Sequence, residues 1–338
     1  AVSPEVGNLS PLVKAFSNAS VPALGPLNLN LQVAGDAQDV LTLSQLDLNL
    51  GTEQTLLVEA KGTVTDLVKL SGADVAFKVI SPNLSVLSDL APGIPPMGPV
   101  DVSGSLKGDN GKPITLDPFT AKIGGSDIAG TATIDATGDV PKIVARLSST
   151  RFDINDVNPP AKGGASKAST SGGATGGGTS TASSDGRLIP NDPLPLDVMK
   201  SVDADIEYNA ATFVATVAEL TDFEIKIVLE NGKLDVSPFK AGVGAGTLEG
   251  AISLDGSQEN APVSISIDGK QMGLESLLAG AGMRDKIVGP LDVNIDLKGA
   301  GASPRAIAGS LTGNTLVSLY DSRVLKKAFE DAMGETLA

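Results

Sequence analysis

From Leu27 onward, apolar and polar residues alternate with a period of two, the pattern of a strand with one dry face and one wetted face. Leu27, Leu29, Leu31 and Val33 alternate with Asn28, Asn30 and Gln32. Val100, Val102 and Leu106 alternate with Asp101, Ser103 and Ser105, and Phe223, Ile225 and Ile227 with Glu224 and Lys226. The same rhythm returns at Ile252 and Leu254, at Val263, Ile265 and Ile267, and at Leu291, Val293, Ile295 and Leu297. Turn signals separate these runs: Gly108-Asp109-Asn110-Gly111, Glu230-Asn231-Gly232 and Asp255-Gly256-Ser257. Connections this short join antiparallel neighbours, whereas parallel strands need a long crossover. The expected fold is therefore mainly β, in antiparallel meanders with few helices.

The pattern also repeats over longer distances. Leu116-Asp117-Pro118-Phe119-Thr120-Ala121-Lys122-Ile123-Gly124 matches Val236-Ser237-Pro238-Phe239-Lys240-Ala241-Gly242-Val243-Gly244 at an offset of 120, which also carries Gly130 to Gly250 and Asp135 to Asp255. A second motif is a short apolar helix, a Gly-Pro turn and an alternating strand. It occurs at Leu12 to Phe16 with Gly25-Pro26, at Leu84 to Leu90 with Gly98-Pro99, and at Leu274 to Ile287 with Gly289-Pro290. A degenerate copy, Leu194 to Lys200 followed by Val202, lacks the Gly-Pro. This spacing predicts units of roughly five short strands and one short helix that bury their apolar faces by stacking on neighbours.

One segment leaves this pattern. Between Ala161 and Gly186, 23 of 26 residues are Gly, Ala, Ser or Thr, so the stretch has no apolar face to bury and reads as a flexible linker. It divides the chain into a first β-repeat segment, 1–160, and a second, 187–338.

Composition narrows the chemistry. The 338 residues include no histidine, cysteine or tryptophan, and 10 aromatic residues in all. Imidazole acid/base catalysis, thiol nucleophiles, thiolate or imidazole metal sites and disulfides are excluded. A net charge of −15 repels phosphate backbones, which argues against nucleic acid as a partner. Gly242-Val243-Gly244-Ala245-Gly246 is glycine-rich, yet Thr247 to Leu254 alternates as a strand where a phosphate site needs a helix N-terminus, so it reads as a turn. Asp101, Asp203, Asp205, Asp292 and Asp296 sit at the polar positions of strands, with no loop that would gather oxygen ligands. No cofactor, metal site or catalytic residue is expected. Val324 to Met333 is amphipathic and predicts a terminal helix packed on the end of the sheet.

The apolar positions of the alternating strands form the candidate site. They are Leu27, Leu29, Leu31, Val100, Val102, Phe119, Ile123 and Ile134 in the first segment. In the second they are Phe223, Ile225, Ile227, Leu229, Phe239, Val243, Ile252, Leu254, Val263, Ile265, Ile267, Leu291, Val293, Ile295 and Leu297. One short helix per unit is too little to cover this face, so the sheet must fold on itself. Closed tightly, it is a core filled with its own side chains. Held open, it is an aliphatic groove suited to alkyl chains rather than to a shaped metabolite.

From Pro193 to Val324 the chain resembles the AsmA family of Gram-negative envelope proteins, which includes relatives of TamB and YhdP. The resemblance lies in Pro193-Leu194-Pro195-Leu196-Asp197-Val198, the strand Thr221 to Leu229, the Asn231-Gly232-Lys233-Leu234 turn, Pro238-Phe239, Gly246-Thr247-Leu248-Glu249-Gly250 and Gly289-Pro290-Leu291-Asp292-Val293. Residues 25–157 are similar in style but match more loosely. The resemblance implies a curled, taco-like β-groove in the periplasm that binds phospholipid acyl chains as part of a bridge between inner and outer membranes. It further implies an inner-membrane anchor upstream, with this chain a fragment, and outer-membrane or other envelope proteins as partners. The alternative is an assembly module for outer-membrane biogenesis with a filled β core.

Overall fold

A computed structural model describes residues 5–6, 25–35, 40–69, 71–87, 97–157, 189, 191–215, 218–278 and 287–324. Most of the Ala161–Gly186 linker, the Leu12–Phe16 helix and the Val324–Met333 helix lie outside these residues. In the first segment the strands are β1 (Glu5–Val6), β2 (Leu27–Gly35), β3 (Leu41–Thr52), β4 (Leu56–Asp66), β5 (Ser71–Ser81), β6 (Val100–Gly108), β7 (Ile114–Ile123), β8 (Ser126–Asp135) and β9 (Lys142–Asp153). A 3-10 turn at Leu84–Leu87 follows β5, and helix α1 (Ile154–Val157) follows β9. The second segment begins with α2 (Leu196–Lys200) and continues through β10 (Asp203–Val214), β11 (Glu219–Glu230), β12 (Lys233–Val243), β13 (Gly246–Asp255) and β14 (Pro262–Gly273). It closes with α3 (Leu274–Leu277), β15 (Ile287–Val288), β16 (Pro290–Ala300), α4 (Pro304–Ser310), β17 (Thr312–Leu319) and β18 (Arg323–Val324).

Sixteen of these strands form one sheet in chain order from β1 to β14, then β16 and β17; β15 and β18 pair separately. The sheet is open and curled rather than closed into a barrel, and its two segments are continuous. The meander read from the alternation is present with one exception: β9 and β10 run parallel, from Asp203 opposite Lys142 to Val214 opposite Asp153. The physical reason is the length of the connection between them, which passes through the linker and is long enough to carry the chain back along the sheet.

The re-entering chain is held at the sheet end away from α1. Arg305 donates to the Ile189 carbonyl from Nε at 3.1 Å and from Nη2 at 2.8 Å, and Leu194 N donates to Ala302 O at 2.8 Å. On the polar face the parallel joint is tied by ions. Arg146 pairs with Asp205 at 3.2 Å and with Glu207 at 3.0 Å, and Lys226 pairs with Glu207 at 3.0 Å. Exposed pairs of this kind contribute roughly 0.2–1 kcal/mol each, so they set the register of β9 on β10 more than they stabilise it.

The 120-residue repeat is a structural one. β8 and β13, β9 and β14, and α1 and α3 begin and end at matching positions 120 apart. The units differ from the expected five strands: β2 to β5 and β6 to β9 hold four each, and β10 is an extra strand ahead of β11 to β14. The degenerate copy at Val202 lacks its Gly-Pro because it introduces this extra strand. Each four-strand unit ends in a short helix at the same end of the sheet. There, Ser126 Oγ donates to Asp156 Oδ2 at 2.6 Å and Gly125 N donates to the same oxygen at 3.0 Å, pinning α1 to the β7–β8 turn. In the second unit Leu274 N donates to Gly289 O at 3.0 Å and ties α3 to the start of β16.

Glycine makes the bend at Gly130, where φ is +154° and an added Cβ would lie 2.0 Å from the Arg146 carbonyl oxygen. Gly130→Ala is expected to lower stability by about 2–3 kcal/mol, read as a shift in denaturant midpoint. Gly309→Ala, in α4 with nothing within 4 Å of the new methyl, is expected to be neutral or slightly stabilising.

Candidate functional site

Side chains opposite one another in a ladder share a face, so the register can be followed from strand to strand. Starting at Leu31, the partners run Leu46, Gly62, Val75, Leu106, Leu116, Ala132 and Ala145 to the parallel joint. They continue through Ile206, Ile227, Val236, Ile252, Ile265 and Leu297 to Gly313. A second row starts at Leu29 and Leu48 and passes through Phe119, Leu147, Tyr208, Ile225, Phe239, Ile267 and Ile295. Neither row contains a charged side chain at any of the fifteen strands from β2 to β17. At about 4.8 Å per strand, each extends roughly 70 Å along the ladder.

The remaining candidate residues lie on the same face. Leu27, Val100, Val102, Ile123, Phe223, Val243, Leu291 and Val293 stand toward the helix-bearing rim, and Ile134, Leu229, Leu254 and Val263 toward the opposite rim. Asn28, Asn49, Glu59, Lys78, Ser103 and Thr120 form a row on the other face. Pairs such as Asp47–Lys61 and Asp74–Lys107 keep that face wet. A hollow of about 460 Å³ lies there, between Lys233, Asp235, Ser253, Asp255, Ser264 and Lys298. Its lining is surface polar groups, and among the described residues no group of three or more carboxylates is placed to hold a metal ion.

Burial across the apolar face is graded. Along the helix rim Leu27, Val100, Ala121, Ala210, Phe223, Val243, Met272 and Leu291 are buried. In the second segment Leu274 and Leu277 of α3 pack onto this rim, and Val243 is 0% exposed. An aromatic plate adds to it, with Phe213 and Phe223 stacked at 4.4 Å, Phe152 stacked on Phe213 at 5.7 Å, and Phe239 edge-on to Phe223 at 5.6 Å. Tyr208 completes the plate and donates to Ser149 Oγ at 2.9 Å; burial pushes its phenol pKa up, so it stays neutral. The two long rows are half-buried beside this rim. Toward the opposite rim they open, and Ile134 and Ile252 are 45% and 39% exposed.

No second layer covers the floor among the described residues: the strands pack on their ladder neighbours, and the short helices sit at the ends. The structure thus combines the two arrangements left open by the sequence. Own side chains fill the helix rim, and a bare aliphatic trough runs beside it. The alternation-based selection left out Leu46, Leu48, Leu50, Val58, Phe77 and Val79 of β3 to β5, although LTLSQLDLNL at 41–50 carries the same signal. It also left out Phe152 and Phe213, which reach the plate at strand ends.

The carboxylates considered for chemistry are engaged on the polar face. Asp205 belongs to the Arg146 network. Asp292 accepts from Gln271 N at 2.7 Å and from the Tyr320 hydroxyl at 2.6 Å, and these hold its carboxyl below the usual range. At the β6–β7 turn Lys112 donates to Asp109 at 2.7 Å, and with the Ser71 hydroxyl holds that carboxyl down to about 2. Gly244 and Ala245 form the β12–β13 hairpin turn, as the strand pattern after them required.

The AsmA family model matches residues 14–323, almost the whole chain. The chain belongs to the AsmA family. The match extends over the first segment, where the resemblance in motifs was loose. The AsmA family protein YhjG of Escherichia coli (strain K12) is 25% identical over 279 residues, covering 80% of this chain and 40% of that protein. This AsmA-family chain therefore spans less than half the length of that curated relative. No solved structure matches it. No helix among its described residues is long and apolar enough to cross a membrane.

Proposed function

We propose that this chain is a non-enzymatic, lipid-carrying stretch of a Gram-negative envelope protein, its trough holding phospholipid acyl chains in the periplasm between inner and outer membranes. The observation that carries this reading is the pair of uncharged rows that cross fifteen strands without interruption and are left uncovered toward one rim. Alkyl chains need an apolar surface and exclusion of water, with no converging polar groups, and the floor offers that chemistry. Membership of the AsmA family supports an envelope setting with a role in lipid transport or assembly, and its members are not known as enzymes. An upstream inner-membrane tether and envelope protein partners belong to the same proposal.

The packed helix rim favours a second reading locally, an assembly module whose interior is its own core. Lipid extraction separates the two. The purified chain is expected to carry phospholipid detectable by mass spectrometry after detergent-free preparation. Lipid-free protein that also fails to take up phospholipid from vesicles would favour the assembly module.

A further inference from the structure

Natural sheets protect their edges with charge, proline or bulges, because an unpaired row of backbone N–H and C=O groups recruits any strand that reaches it. This sheet does the reverse. Every strand from β3 to β16 in the long ladder carries at least one charged residue, whereas β2 and β17 carry none. The uncharged stretch around β17 runs from Ala306 to Tyr320 without a proline. β1 pairs with Leu27 and Asn28 at the start of β2. Beyond β17 no strand lies among the described residues, since the chain turns at Asp321 and pairs Arg323–Val324 with β15 instead.

The side chains of β17 complement themselves. Leu316 is 64% exposed and projects on the polar face, in the row of Asp268 and Asn294, where an aliphatic side chain has no local purpose. We infer that β17 pairs antiparallel with β17 of a second copy about a two-fold axis at Leu316, extending one sheet into the other. In that register Leu316 meets its counterpart. Leu319 lies opposite Gly313, which leaves it room, and Thr315 lies opposite Val317 on the trough side. Val317 and Leu319, both more than half exposed, lose that exposure, and the apolar rows continue from one copy into the next. The interface is isologous and closes at two copies. It does not depend on what the trough carries.

The test uses the whole chain, whose lack of cysteine means that a single introduced thiol can bridge only between copies. Sedimentation equilibrium is expected to show a concentration-dependent dimer, weakened at least about tenfold by Leu316→Lys, which sets like charges against each other across the strands. Under mild oxidation Leu316→Cys is expected to form a covalent dimer, since directly opposed residues lie within disulfide reach. Asn314→Cys, opposite Ser318, should cross-link far more slowly. Circular dichroism spectra unchanged from the parent chain establish that the variants fold. A chain that stays monomeric, a dimer indifferent to Leu316→Lys, equal cross-linking at both positions, or head-to-tail polymers through β2 would each overturn the inference.

Discussion

Val243→Asp is expected to unfold the second segment, lowering its stability by at least about 3 kcal/mol. Val243 has no exposed surface and sits among Ala241, Phe223, Met272 and Leu291, with Leu274 and Leu277 of α3 packed over the cluster. A carboxylate there has neither water nor a cation to meet, and an unpaired buried charge costs about 3–5 kcal/mol. A domain of ordinary stability has only about 5–15 kcal/mol in total. The expected readout is a large drop in the urea midpoint, with early loss of the aromatic plate's near-ultraviolet signal. A small drop would mean that the helix rim is as open as the floor.

Ile252→Asp is expected to behave in the opposite way. Ile252 shares the long row with Val236 and Ile265 but is 39% exposed, so a carboxylate at 252 keeps its hydration and the fold should lose only about 1 kcal/mol or less. An alkyl chain lying across that row, however, meets a hydrated charge. At about 0.8 kcal/mol per buried methylene, loss of two contacts weakens binding about tenfold. Phospholipid uptake from vesicles by the folded variant is the measurement. Ile134→Asp, at the same rim in the first segment, should act likewise if one path runs through both.

These two residues show how far the sequence could be read. Period-two alternation placed Val243 and Ile252 on one face, because in a strand the face is a matter of parity alone. Their different burial was not legible. It depends on α3 folding over one rim, and a four-residue helix leaves little trace in the pattern. The parallel joint of β9 and β10 was hidden for a related reason. Alternation is blind to strand direction, which here follows from a connection whose route a linker of Gly, Ser, Thr and Ala does not specify. The offset of 120 revealed the repeat, but the extra strand β10 was read as part of a five-strand unit because Val202-Asp203-Ala204-Asp205-Ile206 alternates like any unit start. Phe152 and Phe213 escaped because their partnership is a matter of ring contacts at strand ends rather than of spacing.

The central claim is that one face of the sheet, and not the other, holds lipid along its length. Photoreactive residues placed in the full-length protein at Leu29 and Ile265, on the trough floor of the first and second segments, test it most directly. Their immediate neighbours Asn28 and Ser264, on the polar face, serve as controls. The account predicts covalent phospholipid adducts at both floor positions and none above background at the controls. Equal labelling on the two faces, or none on either, would contradict it.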